Sequence, residues 1–396
     1  MVPKRWQATQ IGDVATFSSG GTPSKQTADY WGGGEPWISG KDLKSHYLSK
    51  SIDTLTDKGF ATAKKAPQGA SLILVRGMTL LKDFPVGYAN REVAFNQDIK
   101  ALVPKKNVDG LFLSFLLVAQ KNRIRQLVST AGHGTGRLDT SLIQGYPINL
   151  PPLPEQKKIA QILSTWDQAI TATERLLENS QQRKKGLMQQ LLTGKKRLPG
   201  FEGEWEETRL GDLFAERSEI GVENLPLLSI TSEDGVVYQD ATGRKDTSNA
   251  DKSKYKRICP GDIGYNTMRM WQGRSSLSDK DGVVSPAYTI LASREDADSL
   301  FFSYLFKLPE MIHVFYRHSQ GLVSDTWNLK YNHFRKIVWR VPPKAEQSAI
   351  AKILLASDFE IDALKLRIDY LKQEKKALMQ QLLTGKRRVQ LDTEAA

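Results

Sequence analysis

Apolar residues between Glu155 and Leu192 recur at alternating spacings of four and three. The row runs Ile159, Leu163, Trp166, Ile170, Thr173, Leu177, Ser180, Lys184, Leu187 and Leu191. A second row repeats it as Ile350, Leu354, Ser357, Ile361, Leu364, Ile368, Leu371, Lys375, Leu378 and Leu382. Such steps keep one helix face aligned over successive heptads, which is the pattern of a coiled-coil seam. Each row has interruptions: Thr173, Ser180 and Lys184 in the first, Ser357 and Lys375 in the second. From Glu155 to Leu192 the interior holds no proline and only Gly186 as glycine. Pro154 suits a first helical position, where its missing N–H costs nothing. Glu155 then favours the positive end of the helix dipole, Gly194 suits the position past the C-terminus, and Lys195, Lys196 and Arg197 complement that end.

The two rows belong to a longer repeat. Pro151-Pro152-Leu153-Pro154-Glu155-Gln156 is matched by Pro342-Pro343-Lys344-Ala345-Glu346-Gln347. Leu187-Met188-Gln189-Gln190-Leu191-Leu192-Thr193-Gly194-Lys195 recurs as Leu378-Met379-Gln380-Gln381-Leu382-Leu383-Thr384-Gly385-Lys386. Both matches sit at an offset of 191, so no insertion separates the copies. Upstream, Trp6 with Ile11-Gly12-Asp13-Val14 is echoed by Trp205 with Leu210-Gly211-Asp212-Leu213 at an offset of 199. The chain therefore reads as globular region 1–150, helix 151–200, globular region 201–341, then helix and tail 342–396.

If the helices pair antiparallel and centred, Thr173 faces Ile368, Ser180 faces Ile361, Trp166 faces Lys375 and Ser357 faces Lys184. The alternative is that each helix packs only on its own globular region. About 38 residues at ~1.5 Å each make a rod of roughly 55 Å, against about 34 Å for one turn of duplex. Two readers on such a spacer would touch two short DNA elements and ignore the bases between them.

Both globular regions mix strand and helix signals, so the expected class is α+β with an internal pseudo-twofold repeat. Ser71–Arg76 and Val283–Leu291 read as strands, and Leu111–Leu127 and Ser299–Arg317 as helices. In 396 residues the net charge of +12 favours polyanionic partners. It is unevenly spread. Residues 1–150 carry 19 basic and 11 acidic side chains, whereas 201–341 carry 18 and 21. Within the second region, 244–274 is locally basic. The single cysteine, Cys259, excludes an internal disulfide and a cysteine-built zinc site. No apolar run approaches the ~18 residues of a membrane span, no signal-peptide core opens the chain, and the expected location is cytoplasmic.

Candidate contacts follow from cations and aromatics on turn-rich loops, which suit phosphate, sugar and base edges. In the first region these are Lys25, Trp31, Lys41, Lys44, Arg76, Arg91, His133 and Arg137. In the second they are Arg244, Lys245, Lys254, Lys256, Arg257, Arg269, Trp271, Arg274, His318 and Trp327. Arginine is the best bidentate reader of guanine. The competing readings are core-packed tryptophans and solvated basic faces. Gly132-x-Gly134-x-Gly136 lacks the Lys-Ser/Thr of a phosphate loop, so nucleotide binding is rejected. The five histidines have no metal-ligand spacing, and no metal site is expected.

Several motifs together resemble the specificity subunits of Type I restriction-modification systems. They are Gly-Gly-Thr-Pro at 20–23, Tyr-Trp-Gly-Gly-Gly at 30–34, Pro-Trp-Ile-Ser at 36–39, Pro-Gly-Asp-Ile at 260–263, Asp-Gly-Val-Val-Ser-Pro-Ala-Tyr at 281–288, and the doubled Pro-Pro…Glu-Gln helix ending in Leu-Leu-Thr-Gly-Lys. The resemblance implies two target-recognition domains, each reading half of a split DNA site. It also implies helical spacers that dock two modification (methyltransferase) subunits, joined by restriction subunits. S-adenosylmethionine, ATP and Mg²⁺ would then belong to those partners. The chain has no Asn/Asp-Pro-Pro-Tyr/Phe of an amino-methyltransferase, since Asn149-Leu150-Pro151-Pro152 is interrupted, and no Walker loop. A non-catalytic subunit is therefore expected. The alternative is a coiled-coil DNA-binding adaptor without a restriction role.

Overall fold

In a computed structural model both heptad rows lie on helices, Leu153–Leu191 and Lys344–Leu382, each of 39 residues. The structure describes residues 3–391 except 132–133, 223, 232–234, 244–250 and 324–325. The chain divides into two units, Met1–Thr173 with Arg367–Ala396, and Glu174–Leu366. Each unit thus takes half of each long helix. Among the described residues no helix is long and apolar enough to cross a membrane.

The main sheet of the first unit has the order 15–19, 99–104, 71–74, 86–89, 47–48. Its pairings are antiparallel except the last, which is parallel. Ser71–Leu74 is buried at all four positions, as a central strand covered on both faces should be. The covering element includes helix Gly110–Arg125, whose Phe112, Phe115, Leu116 and Ile124 are buried. Asp109 caps that helix, accepting from the Phe112 N–H at 2.8 Å. Gln7–Gln10 pairs with Pro147–Leu150, the strand that feeds the first long helix.

The second unit repeats this plan. Its main sheet has the antiparallel order 214–216, 288–293, 263–266, 275–277. Glu206–Arg209 pairs with Val338–Val341 ahead of the second long helix. Asp298 caps Ser299–Leu305, accepting from the Phe301 N–H at 2.9 Å. Two sequence expectations need correction here. The strand expected over 283–291 is two strands, Gly282–Val284 and Tyr288–Ser293, because Ser285-Pro286-Ala287 turns and Tyr288 N–H closes on the Ser285 carbonyl at 3.1 Å. The helix expected over 299–317 breaks before Pro309 into Ser299–Leu305 and Pro309–His318. Leu308, which precedes the proline, is extended, as sterics at that position require.

Every seam residue is buried or half-buried. Ile159, Leu163, Ile170 and, from the other helix, Ile368, Leu371 and Leu382 are buried in the first unit, with Trp166 and Leu378 half-buried. Leu191, Ile350, Leu354 and Ile361 are buried in the second, with Leu177, Leu187 and Leu364 half-buried. The seam lysines meet aspartates one residue beyond the expected facing positions. In the first unit Lys375 binds Asp167 at 2.5 Å and lies 5.0 Å from the Phe115 ring centre. In the second, Lys184 binds Asp358 and lies 5.0 Å from the Tyr304 ring centre. Ser180 donates to Glu360 at 2.8 Å. The polar interruptions are therefore paired, as burial of charge requires.

The helix starts are fixed by buried Glu-Gln pairs. Gln156 accepts from the Asp109 N–H at 2.8 Å and donates to the Pro151 carbonyl at 2.8 Å. Gln347 does the same with Asp298 and Pro342, each at 2.9 Å. Glu155 receives a forked pair from Arg388 at 2.6 and 2.7 Å and the Trp6 indole N–H at 3.1 Å. Glu346 receives Arg197 twice at 2.7 Å and the Trp205 indole at 3.3 Å. Arg197 thus serves the start of the second helix rather than the dipole at the end of its own. Gly194 and Gly385 turn the chain toward these arginines with φ of +70° and +71°. A β-carbon would meet the Trp205 ring at 3.3 Å in one and Pro3 at 2.3 Å in the other, so glycine is required twice over.

Candidate nucleic-acid interface

In the first unit, strand Trp31–Ile38 carries the two tryptophans of the turn-rich segment. Trp37 is buried and donates to the Gly21 carbonyl at 3.1 Å, while half-buried Trp31 donates to the Ser24 carbonyl at 3.1 Å. Their rings meet edge to face at 5.1 Å, and Lys25 sits 5.9 Å from the Trp31 centroid. Both indoles therefore spend their N–H groups on their own loop. Lys41 and Lys44 are exposed on the following turn, which Asp42 shapes by accepting from the Ser39 and Ile52 N–H groups. Arg91 pairs with Glu35 at 2.5 Å, which compensates its charge locally.

A separate three-stranded sheet, in the order 129–131, 135–137, 76–77, brings Arg76 and Arg137 directly opposite each other. Arg137 is paired with Asp139 at 3.1 Å, and Arg76 has no ion-pair partner among the described residues. Like charges directly opposite are unfavourable in a sheet, and an anion placed between them relieves this. Gly77, at φ +145°, ends that strand, and Met78 follows with 74% of its surface exposed. His133 lies outside the described residues.

In the second unit the basic stretch separates into two groups. Arg257 is held by Asp281 at 3.0 and 2.8 Å and by Glu219 at 3.1 Å. Those two carboxylates, Asp281 first, raise its pKa further. Half-buried Lys256 binds Glu216 at 3.4 Å and the Tyr288 carbonyl at 2.8 Å. Both cations are taken up internally, whereas Lys254 is exposed. Arg244 and Lys245 lie outside the described residues.

The second group gathers at the turn leaving strand Ile263–Asn266. Asn266 N–H reaches the Arg274 carbonyl at 3.2 Å and Arg269 N–H the Asn266 carbonyl at 3.0 Å, so the turn folds on itself. Trp271 meets Trp327 edge to face at 5.2 Å, and Trp327 meets Tyr316 at 4.9 Å. Trp271 donates to the Met268 carbonyl at 3.0 Å. Arg274 is exposed and Arg269 half-buried beside this aromatic surface. His318 binds the Val314 carbonyl through Nδ1 at 2.9 Å, which fixes its ring at the end of its helix. The structure thus gathers Arg269, Trp271, Arg274 and Trp327 at one turn, while Lys256 and Arg257 are held by carboxylates of their own.

Sequence reasoning missed Tyr316, Met78 and Met268, because exposure of an apolar residue inside a mixed segment leaves no periodic signal. It also missed His46, whose ring stacks on Phe115 at 5.1 Å. Burial, with Lys375 adding to it, lowers its pKa to about 4. Burial and then Asp167 raise the Tyr47 hydroxyl, and burial and then Asp358 raise that of Tyr304. Lys307 is lowered to about 8 by burial alone. Among the described residues no cluster of His, Cys, Asp or Glu could hold a metal ion.

A family model described as the Type I restriction modification DNA specificity domain matches residues 3–179. The specificity subunit of the Type I restriction enzyme EcoR124I/EcoR124II of Escherichia coli is 28% identical over 160 residues, 40% of either chain. That alignment spans well under half of the relative's length. The MjaVIII specificity subunit of Methanocaldococcus jannaschii is 24% identical over 416 residues, covering 98% of this chain and 94% of its own. The crystal structure of a Type I restriction-modification S subunit from M. genitalium matches with a TM-score of 0.59 at 16% identity, covering 96% of each chain. The HsdS subunit of Thermoanaerobacter tengcongensis matches at 0.51 and 16%, covering 98% of each. At such identities the structural likeness speaks for the fold.

Proposed function

We propose that this chain is a Type I restriction-modification specificity subunit, a reading its similarity to such subunits supports, and that each of its units reads one half of a split duplex DNA site. The observation that carries the reading is the doubled architecture. Two sheets that share the order of four strands, the first with a fifth at its edge, precede two helices of 39 residues, started by the same Trp–Glu–Arg arrangement. A protein with two similar but non-identical readers suits a target with two unlike halves. The exposed cations Lys41, Lys44, Arg76, Lys254 and Arg274 supply phosphate contacts, and Arg269, Trp271 and Trp327 lie where base contact is available. Lys256 and Arg257 keep their own carboxylates and shape the second unit.

The chain itself does no covalent chemistry in this reading. It directs two modification subunits to the site, and restriction subunits join that core. S-adenosylmethionine, ATP and Mg²⁺ act on those partners. The helices, at ~1.5 Å per residue about 58 Å long, set the number of unread base pairs between the halves. The work of this chain is then positioning. Phosphate neutralisation gives binding that weakens steeply with salt, and groove contacts discriminate the bases.

Methylome sequencing of a host carrying this chain with its modification subunit, against the same host lacking the chain, tests the reading. One split, two-part methyladenine motif is the expected result. No new motif, with the modification subunit expressed and soluble, would sink it. One heptad inserted into each long helix tests the spacer separately: the unread gap lengthens and neither half-site changes. Altered half-sites with an unchanged gap would refute the ruler.

A further inference from the structure

We propose that an exposed methionine on the corresponding turn of each unit, Met78 in the first and Met268 in the second, enters the base stack of the bound duplex as a wedge. The inference rests on the reading that this chain binds duplex DNA. Both residues follow the third strand of the main sheet, Ser71–Leu74 in one unit and Ile263–Asn266 in the other. The two turns correspond through one shared hydrogen bond, past which Met78 stands three residues and Met268 one residue. Leu138 N–H reaches the Val75 carbonyl at 2.9 Å, and Leu329 N–H, 191 residues later, reaches the Thr267 carbonyl at 2.8 Å.

A single exposed apolar side chain needs no explanation. Here the same residue type stands out from the same turn twice, 74% and 39% exposed. Each is followed two residues later by a fully buried anchor, Leu80 and Met270, both 0% exposed. The anchors pin a 3₁₀ turn in each unit, Met78–Leu81 and Met270–Gln272. In the first, Lys82 and Asp83 N–H groups close on the Thr79 carbonyl and Arg125 reaches the Lys82 carbonyl at 3.2 Å. In the second, the Trp271 indole holds the Met268 carbonyl. The methionines therefore project from backbone that is already fixed.

Charge says what covers them. No Asp or Glu occurs from 58 to 82 or from 263 to 278, while Arg76, Lys82, Arg269 and Arg274 fall in those spans. Asp83, the next acid, is held by Lys121 at 3.0 Å. An apolar tip on a turn whose own sequence carries cations, and whose nearest acid in the first unit is already paired, fits a stacked polyanion. Apolar side chains, Met among them, part base steps while neighbouring Arg and Lys hold the flanking phosphates. Met is suited to this, being unbranched and polarisable.

The test uses the full chain with its modification subunit and a duplex bearing the split motif read from the methylome. 2-Aminopurine replaces one base at a time, outside the methylated adenine. The wild-type complex should raise fluorescence at one step in each half-site. Met78→Ala should lose the rise in one half-site only, Met268→Ala in the other only, and Met78→Leu and Met268→Leu should keep both. Thermal unfolding of the free variants should match wild type, since neither methionine is buried. A split motif with no rise at any step, or a rise that survives both alanine substitutions, would overturn the wedge while leaving the specificity reading intact. Absence of any split motif and of salt-dependent duplex binding would remove both.

Discussion

The helix starts of the two units use the same residues for the same task, whereas their exposed turns do not. Glu155 and Glu346 are 2% and 0% exposed, and each binds one indole and one arginine fork. At the turn leaving the third strand, the first unit presents opposed Arg76 and Arg137 beside Met78. The second presents Trp271, Trp327 and Tyr316 beside Met268. A buried carboxylate tolerates few neighbours, because an unpaired charge in the interior is costly. A surface turn has no such constraint. The difference teaches that packing holds the frame of both units constant and leaves the exposed turns to diverge, as the proposed split site would require.

The largest expected effect tests whether the two copies of the frame are interchangeable. A fragment ending at Arg197 contains one of each partner: Glu155, Asp167, Lys184 and Arg197. Two copies can pair Arg197 with Glu155 and Lys184 with Asp167, as Arg388 and Lys375 do in the whole chain. It should sediment as a dimer and, with the modification subunit, methylate a palindromic split site. A monomer under those conditions would break the comparison. A smaller effect comes from Glu155→Ala, which leaves the buried Trp6 indole N–H unpaired. It should cost about 2–3 kcal/mol in denaturant unfolding. Glu346→Ala should cost a similar amount, since that carboxylate is equally buried and holds the same two partners. A near-neutral result for one alone would show that the clasps differ.

A third effect, confined to a narrow pH window, separates the units. Folded His46 stays neutral down to about pH 4, whereas an unfolded histidine takes its proton near 6.5. Between those values the unfolded chain binds more protons, so stability falls as pH drops from about 6.5 to about 4 and levels off below. His46→Phe should flatten that part of the stability curve. In the second unit Tyr304, not a histidine, packs under the seam lysine where the first has Phe115, and burial with Asp358 keeps its hydroxyl protonated throughout this window. Tyr304→Phe should therefore leave the same pH window unchanged. A curve that His46→Phe does not alter would mean the ring is not the group that titrates.

The helices were legible because their signal is redundant. A seam of ten positions, repeated at a fixed offset, fixes each helix and the face it buries, while antiparallel pairing was one of two readings it allowed. The segment over 283–291 misled because its apolar residues satisfy a strand pattern on both sides of Pro286, and only the turn at Ser285 divides it. Contact candidates were half legible. Lys256 and Arg257 carry the same sequence signal as Arg269 and Arg274, yet Glu216, Glu219 and Asp281 reach only the first two. Those carboxylates come from distant positions, so no local reading could have found them.

By itself the sequence determined that the chain is a doubled domain-and-helix array with a heptad seam along each helix, because hydrophobic periodicity and an exact repeat are local properties. It also determined a basic chain suited to a polyanion. Only the tertiary structure decided which charges stay available. It gave Arg197 and Arg388 to buried glutamates of the opposite helix copy and set Arg76 across from Arg137. It also held two methionines outside their cores. The physical reason is that pairing and exposure depend on residues brought close by folding, and sequence distance carries no record of that closeness.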